Sequence, residues 1–378
     1  MDLSLNEMEQ LVKNTARDFA ERECPIEIVR GLDESESGFS PQIWQKMAEM
    51  GWAGMILPEK YGGSGASLTA LGVLCEELGR AIVPSPLHSS SVLCGLAILE
   101  GGTDKQKETL LPAVAAGERI LALAFTEAGY GWDAASVHMS ATPRNSRFIL
   151  NGTKVFVHDA LVADQILCVA RTSQSQNAED GITLFLVDKQ SPGVNCYSLP
   201  GFAGEKFCEV SFDKVEVPEA NVVGEVGKGW AILQPVLEKG TVVLCAYMVG
   251  GCHRIWESTL EYCRTRVQFG VPIGNFQRVQ DHVIDIVNAL DAARWTTYEA
   301  LWKIDNGKPE VSKAVSLAKA VTSEAYHQAC NSSHEVHAGT GLSKEYHLYL
   351  YTKKARTFYH YLGSPSYHRQ RLAELLEL

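Results

Sequence analysis

The hydrophobic period changes twice along this chain, and that constrains the fold more than any other feature. Up to about residue 118 the apolar residues recur at helical spacing, as in Leu5, Met8, Leu11, Val12, Ala16 and Phe19. Pro25 ends that run. Ser40-Pro41 reads as an N-cap with proline at the first helical position, opening a helix over 42–50. Pro58 and Gly62-Gly63-Ser64-Gly65 break the chain before another apolar helix over 69–80. From about 120 to 225 the pattern is short apolar runs separated by turns, at 147–152, 165–170 and 182–187. Asn151-Gly152 reads as a hairpin turn, and 173–181 as a polar surface loop. After Gly227-Lys228-Gly229 the helical period returns almost to Leu378, with Trp256, Leu260, Ile284, Val287 and Leu290 fitting buried faces of long helices. A β segment between two helical ones is an α+β chain, with domains expected at 1–118, 119–226 and 227–378.

Composition narrows the class. At 378 residues the chain exceeds one simple core. Its 46% hydrophobic and 21% charged residues are those of an ordinary globular protein. A formal charge of -11 argues against a basic surface for nucleic acid. No apolar run approaches the roughly 20 residues of a membrane helix, so no membrane association is expected. Met1-Asp2-Leu3-Ser4 lacks the basic region and apolar core of an export signal. The ten cysteines are scattered without a CxxC pair, which reads as reduced, mostly buried thiols rather than disulfides or a metal site. A cytoplasmic location is expected.

Three patches stand out: Ala124-Phe125-Thr126-Glu127-Ala128-Gly129-Tyr130-Gly131-Trp132-Asp133, Arg266-Val267-Gln268-Phe269-Gly270 and His337-Ala338-Gly339-Thr340-Gly341. Around them lie Leu57-Pro58-Glu59-Lys60-Tyr61-Gly62-Gly63-Ser64-Gly65, Gln106-Lys107, Leu111-Pro112, Asn151-Gly152-Thr153-Lys154, Val217-Pro218, Pro272-Ile273 and Phe276-Gln277. In this order, and over essentially the whole chain, they resemble the acyl-CoA dehydrogenase family of flavoproteins. The resemblance implies a helical domain, a β-barrel-like domain and a four-helix bundle. It implies FAD as cofactor, an acyl-CoA ligand and electron-transfer flavoprotein as the default electron acceptor. It also implies self-association, as a dimer at least and commonly a homotetramer.

The same resemblance implies roles for single residues. The loop from Leu123 through Phe125, Thr126, Gly131 and Trp132 corresponds to the one lying along the isoalloxazine. Phe156 corresponds to the aromatic covering the other face, and His158 to the hydroxyl residue that hydrogen-bonds near N5. The chemistry is consistent. Glycines let backbone approach a planar ring, and N–H groups with a hydroxyl near Thr126 can stabilise charge on a reduced flavin. Arg266, beside Gln268 and Phe269, resembles the arginine that grips the pyrophosphate of FAD bound mainly by a neighbouring subunit, a task suited to a guanidinium fork. Glu335, Ala338 and Gly339 resemble the other side of that site, and Ser364 falls among the cofactor positions. The plainer readings are a tight glycine turn, a core aromatic and a solvated helix-end arginine.

The departures from the family are specific. Glu335 stands where glutamine is common, and Ala338 where glycine is common; a carboxylate would repel a pyrophosphate, so Glu335 points at a ribose hydroxyl or the adenine, or this FAD site is weaker. The family's catalytic glutamate sits at one of two places. One falls on Leu362, in Tyr361-Leu362-Gly363-Ser364, and the other on Gly240, in Leu237-Glu238-Lys239-Gly240-Thr241. Neither residue can take a proton. Gly240 reads as room for a bulky substrate, or as a helix irregularity without a role. The substrate pocket is expected to include His88, Trp132, Glu238, Gly240, Thr241, Tyr247, Tyr361 and Leu362. His158, Asp159 and His88 are the candidate replacement bases, each also readable as a structural or solvated residue; His158, across the flavin from the acyl chain, is expected to tune its potential. Three functions stay open. One is an FAD-dependent acyl-CoA dehydrogenase with a displaced base, acting on a cyclic, branched or dicarboxylic acyl group. Another is a redox-neutral lyase on the same fold. The third is a non-catalytic subunit that completes the FAD site of a glutamate-bearing paralogue.

Overall fold

The computed structural model describes residues 4–199, 201 and 206–378. Met1, Asp2 and Leu3, on which the reading of the leader rests, lie outside that set. Helices α1 to α4 span Glu7–Glu23, Ile26–Glu34, Pro41–Glu49 and Leu68–Arg80. A π-helix, Leu87–Gly95, runs into α5 (Leu96–Gly101), and α6 (Asp104–Ala115) follows. Strands β1 to β4 are Leu121–Ala124, Ser140–Arg144, Arg147–His158 and Gln165–Arg171. Strands β5 to β8 are Ile182–Asp188, Val194–Ser198, Phe207–Pro218 and Val222–Val223. Then come α7 (Gly229–Thr265), the short strands β9 (Val267–Gln268) and β10 (Val271–Pro272), α8 (Gln277–Asp305) and α9 (Val311–His337). Helices α10 (Gly339–Leu342), α11 (Leu348–His360) and α12 (Pro365–Leu375) close the chain. The order helical, β, helical is the one expected. All ten cysteines are free thiols, and nine are buried.

The chain folds into two compact units, neither continuous in sequence. One gathers the chain up to Asp33, Ser67–Val83 and Thr241–Leu378. It is helical. In α1, Asn6 and Glu9 form a reciprocal capping box, each side chain bonding the other's N–H at 2.9 Å. Ala16 and Phe19 of the expected stripe are buried, but Met8 and Leu11 are exposed. Helices α4 and α7 touch backbone to backbone. A Cβ on Gly79 would lie 1.9 Å from the Tyr247 carbonyl oxygen, and one on Gly250 1.8 Å from that of Glu76, so only glycine fits. Several of the buried carboxylates here are paired: Tyr298 donates to Glu76 at 2.7 Å, and Arg17 grips Glu77 with two bonds of 2.9 and 3.0 Å. On α9, the fully buried Lys319 donates to the Phe358 carbonyl at 2.7 Å and to Ser323 Oγ at 2.8 Å. Burial pushes its ammonium down to about 8. It fixes the C-terminal end of α11, just ahead of Tyr361-Leu362. On α8 the buried row is Ile286, Leu290, Ala293 and Thr297. Ile284 lies two residues off that row, about 200° around the helix, and is exposed instead of buried.

Helix α7 departs from expectation in one respect. By length and composition it could cross a membrane, yet 72% of its most apolar window is buried inside the protein, as in a core helix.

The other unit gathers Glu34–Ala66 and Pro84–Gly240 and holds the sheet. The strand order is β6-β7-β3-β2-β4-β5-β8, with β1 parallel to β4. Ser40 caps α3 as expected, accepting from Ile43 N at 3.3 Å with Pro41 at the first turn. The hairpin turn is not at Asn151-Gly152. Arg144 pairs with Arg147, so the chain reverses at Asn145-Ser146, where Asn145 has φ +55°. Asn151-Gly152 lies inside β3 at a register shift against β7, and Gly152, at φ +150°, sits against Met139 where a Cβ would be 2.8 Å from Cγ. Pairing on both sides of Gly152 outweighs the local turn preference.

Candidate active site

In the sheet-bearing unit, β1 delivers the chain into the loop 125–132, which is tied down to β3. Val155 N–H donates to the Thr126 carbonyl at 2.9 Å. Lys154, fully buried, donates to the Phe125 carbonyl at 2.9 Å and to Glu127 Oε1 at 2.7 Å. Glu127 also accepts the N–H groups of Met139 at 2.9 Å and His138 at 3.1 Å. Five bonds thus converge on one short segment. Leu123, Phe125, Thr126 and Trp132 are buried, and the rings of Phe125 and Trp132 stack at 5.5 Å with 10° between planes. Gly131 is required, since a Cβ there would lie 1.6 Å from Ser136 Oγ. Thr126 gives its carbonyl to Val155, while its N–H and hydroxyl bond to none of the described residues.

Phe156 follows at the second register shift in β3, with φ +55° and 40% of its surface exposed. It meets Tyr130 edge-on at 5.2 Å. His158 ends β3 and packs on Phe207 at 5.3 Å; its Nδ1 lies 3.3 Å from Asp159 Oδ2. Asp159 also accepts from the Ser89 hydroxyl. His88 Nε2 lies 2.8 Å from the Gly240 carbonyl oxygen, and burial pushes the ring down to about 4. Glu238 is buried on the same stretch of α7. Gly240 does not leave room for a substrate on its Cβ side. A Cβ there would be 2.4 Å from Leu93 Cδ2, because the π-helix has already filled the space.

In the helical unit, Arg266 joins α7 to the β9–β10 hairpin, whose turn Phe269-Gly270 has φ +52° and +82°. That turn holds Phe269 94% exposed, with Arg266 and Gln268 exposed beside it. A small core of Cys263, Ile273 and Val336, flanked by Tyr262 and Phe276, packs this hairpin against the end of α9. Tyr262 OH reaches Thr340 Oγ1 at 3.3 Å, so Arg266 and the segment from Glu335 to Gly339 belong to one corner. Glu335, Ala338 and Gly339 are exposed there. Ser364 caps α12 through a 3.3 Å bond from Tyr367 N. Thr241, Tyr361 and Leu362 are buried, and the Leu362 carbonyl accepts from His368 Nε2 at 2.8 Å. Tyr247 is half-buried, edge-on to Phe358 at 5.5 Å.

Backbone strain marks the same places. Phe156, Phe269, Ala338 and Leu362 all have positive φ without being glycine, as do Tyr130 beside Gly131 and Asp159 beside His158. The sequence carries no sign of this. It also conceals Lys154 and Ser89 as positioning groups, because a lysine in a strand and a serine in a serine run look solvated. Ala338 is the clearest case, at φ +49° and ψ −134°. Ala338→Gly is expected to raise stability by about 1 kcal/mol, since the exposed methyl loses no packing and the strain goes. Thermal melting of the two proteins checks this; an unchanged or lower melting temperature for the glycine variant contradicts it.

In the sheet-bearing unit, the aromatic wall and the glycine-cradled loop, with the Thr126 N–H and hydroxyl on offer, are chemically suited to a planar flavin ring. In the helical unit, the exposed Arg266 guanidinium beside an open turn is chemically suited to a phosphate-bearing group.

The chain matches the models of the acyl-CoA dehydrogenase N-terminal, middle and C-terminal domains over residues 6–118, 122–215 and 227–376. It is 32% identical to the 3-(aryl)acrylate reductase of Clostridium sporogenes, covering 98% of each chain. It is 31% identical to subunit CarC of the caffeyl-CoA reductase-Etf complex of Acetobacterium woodii, again over 98% of each. The fold superposes on butyryl-CoA dehydrogenase from Megasphaera elsdenii with a TM-score of 0.92 over 100% of both chains, at 28% identity. The chain therefore belongs to the acyl-CoA dehydrogenase family, FAD-binding oxidoreductases acting on CH–CH bonds.

Proposed function

We propose that this protein interconverts the saturated and α,β-unsaturated forms of a cyclic, branched or dicarboxylic acyl-CoA, with its proton-transferring group displaced from the family's positions. The observation that carries this is the pair Leu362 and Gly240, together with Leu93 filling the space beside Gly240. Neither of these positions, matched to the family by resemblance, carries a carboxylate, and Leu93 occupies the space beside Gly240. FAD supplies the hydride acceptor. The protein's part is to seat its ring against Thr126, Trp132 and Phe156, while His158, whose Nδ1 lies 3.3 Å from Asp159 Oδ2, tunes its potential. The chain is expected to act with a second copy of itself or a paralogous subunit, because Val267 at 51% and Phe269 at 94% exposure make the hairpin beside Arg266 an apolar tip. The A. woodii relative's name, with its Etf complex, supports electron-transfer flavoprotein as redox partner. We place the protein in the cytoplasm, with domains at 1–118, 119–226 and 227–378.

The test is anaerobic mixing of the purified holoprotein with cyclohexanecarboxyl-CoA, isobutyryl-CoA and glutaryl-CoA. Bleaching of the flavin by at least one of them is the expected result. Turnover without bleaching would instead identify a lyase, and FAD that no thioester reduces would identify a non-catalytic subunit.

A further inference from the structure

We propose that His253 is a pH-sensitive latch, which holds α7 against α4 and α8 while its ring is neutral and loosens that contact when acid protonates it. This goes beyond the acyl-CoA reading and does not depend on it. His253 lies on α7 within the helical unit, its side chain largely buried. Arg294 of α8 approaches its Nδ1 to 3.0 Å through Nη2. A guanidinium carries hydrogen on every nitrogen and offers no lone pair, so Arg294 donates and Nδ1 accepts. The ring hydrogen is therefore on Nε2, which faces Glu257 Oε1 at 3.6 Å. The contact with Arg294 fixes the charge as well as the tautomer, since a ring that accepts at Nδ1 is neutral.

The charged groups that face the ring are already engaged. From α4, Glu76 accepts from Tyr298 of α8 at 2.7 Å through Oε2, and its Oε1 faces Arg294 Nη2 at 3.5 Å. Arg80, also on α4, pairs with Glu257, and Arg254 lies 3.5 Å from the same carboxylate. Beside Glu76, Glu77 is held by Arg17 of α1. Each carboxylate thus has a guanidinium of its own, and a charged imidazole would have to share one. Glu76 Oε1, 4.0 Å from Nδ1, and Glu257 Oε1, 3.6 Å from Nε2, are outside hydrogen-bond reach. Burial, and after it Arg294, push the ring's affinity for a proton below its ordinary value, against the pull of Glu257 and Glu76.

A proton from solvent that binds Nδ1 sets an N–H against the N–H of Arg294. The 3.0 Å bond is lost, and two cations are left side by side in a largely buried place. An unfolded chain takes up that proton at the ordinary histidine value, about 6.5, and the folded chain only at lower pH. The latch is therefore whole above about 6.5 and weakens as pH falls below it.

The experiment is amide hydrogen exchange of the holoprotein at pH 7.5 and 6.0, both above its isoelectric point of about 5.5. Exchange is read by mass spectrometry and corrected for the intrinsic rate at each pH. Peptides from α8 and from the facing stretch of α7 are expected to open about two- to fourfold more often at pH 6.0. His253→Gln should abolish that increase. Its amide oxygen can accept from Arg294 and its NH2 group can face Glu257, but it takes up no proton. An increase seen in the parent and absent from His253→Gln supports the latch. Parent peptides whose corrected exchange changes by less than about 1.5-fold overturn it, whether or not the variant folds. An equal increase in parent and His253→Gln overturns it too, because the acid sensitivity then belongs to another group.

Discussion

Replacing Lys154 with methionine is expected to destabilise the protein by about 3–5 kcal/mol and to strip it of most of its FAD. Lys154 is fully buried on β3, and its ammonium holds both the Phe125 carbonyl and the Glu127 carboxylate. Methionine fills much of the same volume, so the loss is electrostatic rather than a cavity. It leaves Glu127 as a charge with its cation gone, and that is the costly case for a buried pair. The loop 125–132 then keeps the Val155–Thr126 bond but loses the anchor on either side of Thr126. Urea melts and flavin absorbance of the purified variant measure the two effects. Adding Glu127→Gln to Lys154→Met should recover part of the stability, because the unpaired charge is gone. A destabilisation under about 1 kcal/mol, or full FAD occupancy in the single variant, would refute this account of the loop.

The second large effect concerns turnover. Leu362→Glu is expected to raise dehydrogenation of butyryl-CoA by about 10²–10⁴-fold, the usual worth of a positioned general base. The backbone is already shaped for it. Leu362 has φ +57° and Gly363 φ +100°, and the Leu362 carbonyl is held by His368 at 2.8 Å. Glutamate meets the same backbone strain there as leucine does, so no new backbone cost arises. The added cost is burial of a carboxyl, which raises its affinity for a proton and so suits a base near neutral pH. Stopped-flow flavin reduction by butyryl-CoA, in parent and variant, gives the comparison. A variant that folds, binds FAD and butyryl-CoA, and reduces its flavin no faster than the parent would show that this position is not where a base can act. A parent protein that already oxidises butyryl-CoA as fast as a glutamate-bearing relative would remove the premise.

The sequence alone determined the order of helical and β segments. Those signals are local: a 3.6-residue apolar period, capping at Ser40-Pro41 and apolar runs between turns need no partner to be read. It also determined the family and, with it, FAD as the cofactor, since glycines and an arginine at fixed places carry chemistry wherever they are seated. Some local readings failed. Asn151-Gly152 is held in β3 by pairing with distant β7, while Ile284 on α8 and Met8 and Leu11 on α1 fall off the buried faces of their helices. Only the tertiary structure decided what fills the site. It brings His88 to the Gly240 carbonyl across 152 positions of sequence, and Ser89 to Asp159 across 70. It places Leu93 in the space that glycine seemed to leave, and it hides Lys154 under the loop 125–132. A missing side chain in a sequence says only that a group is absent. Whether the gap admits a substrate or is closed by a neighbour depends on packing between segments far apart in the chain, which no local pattern encodes.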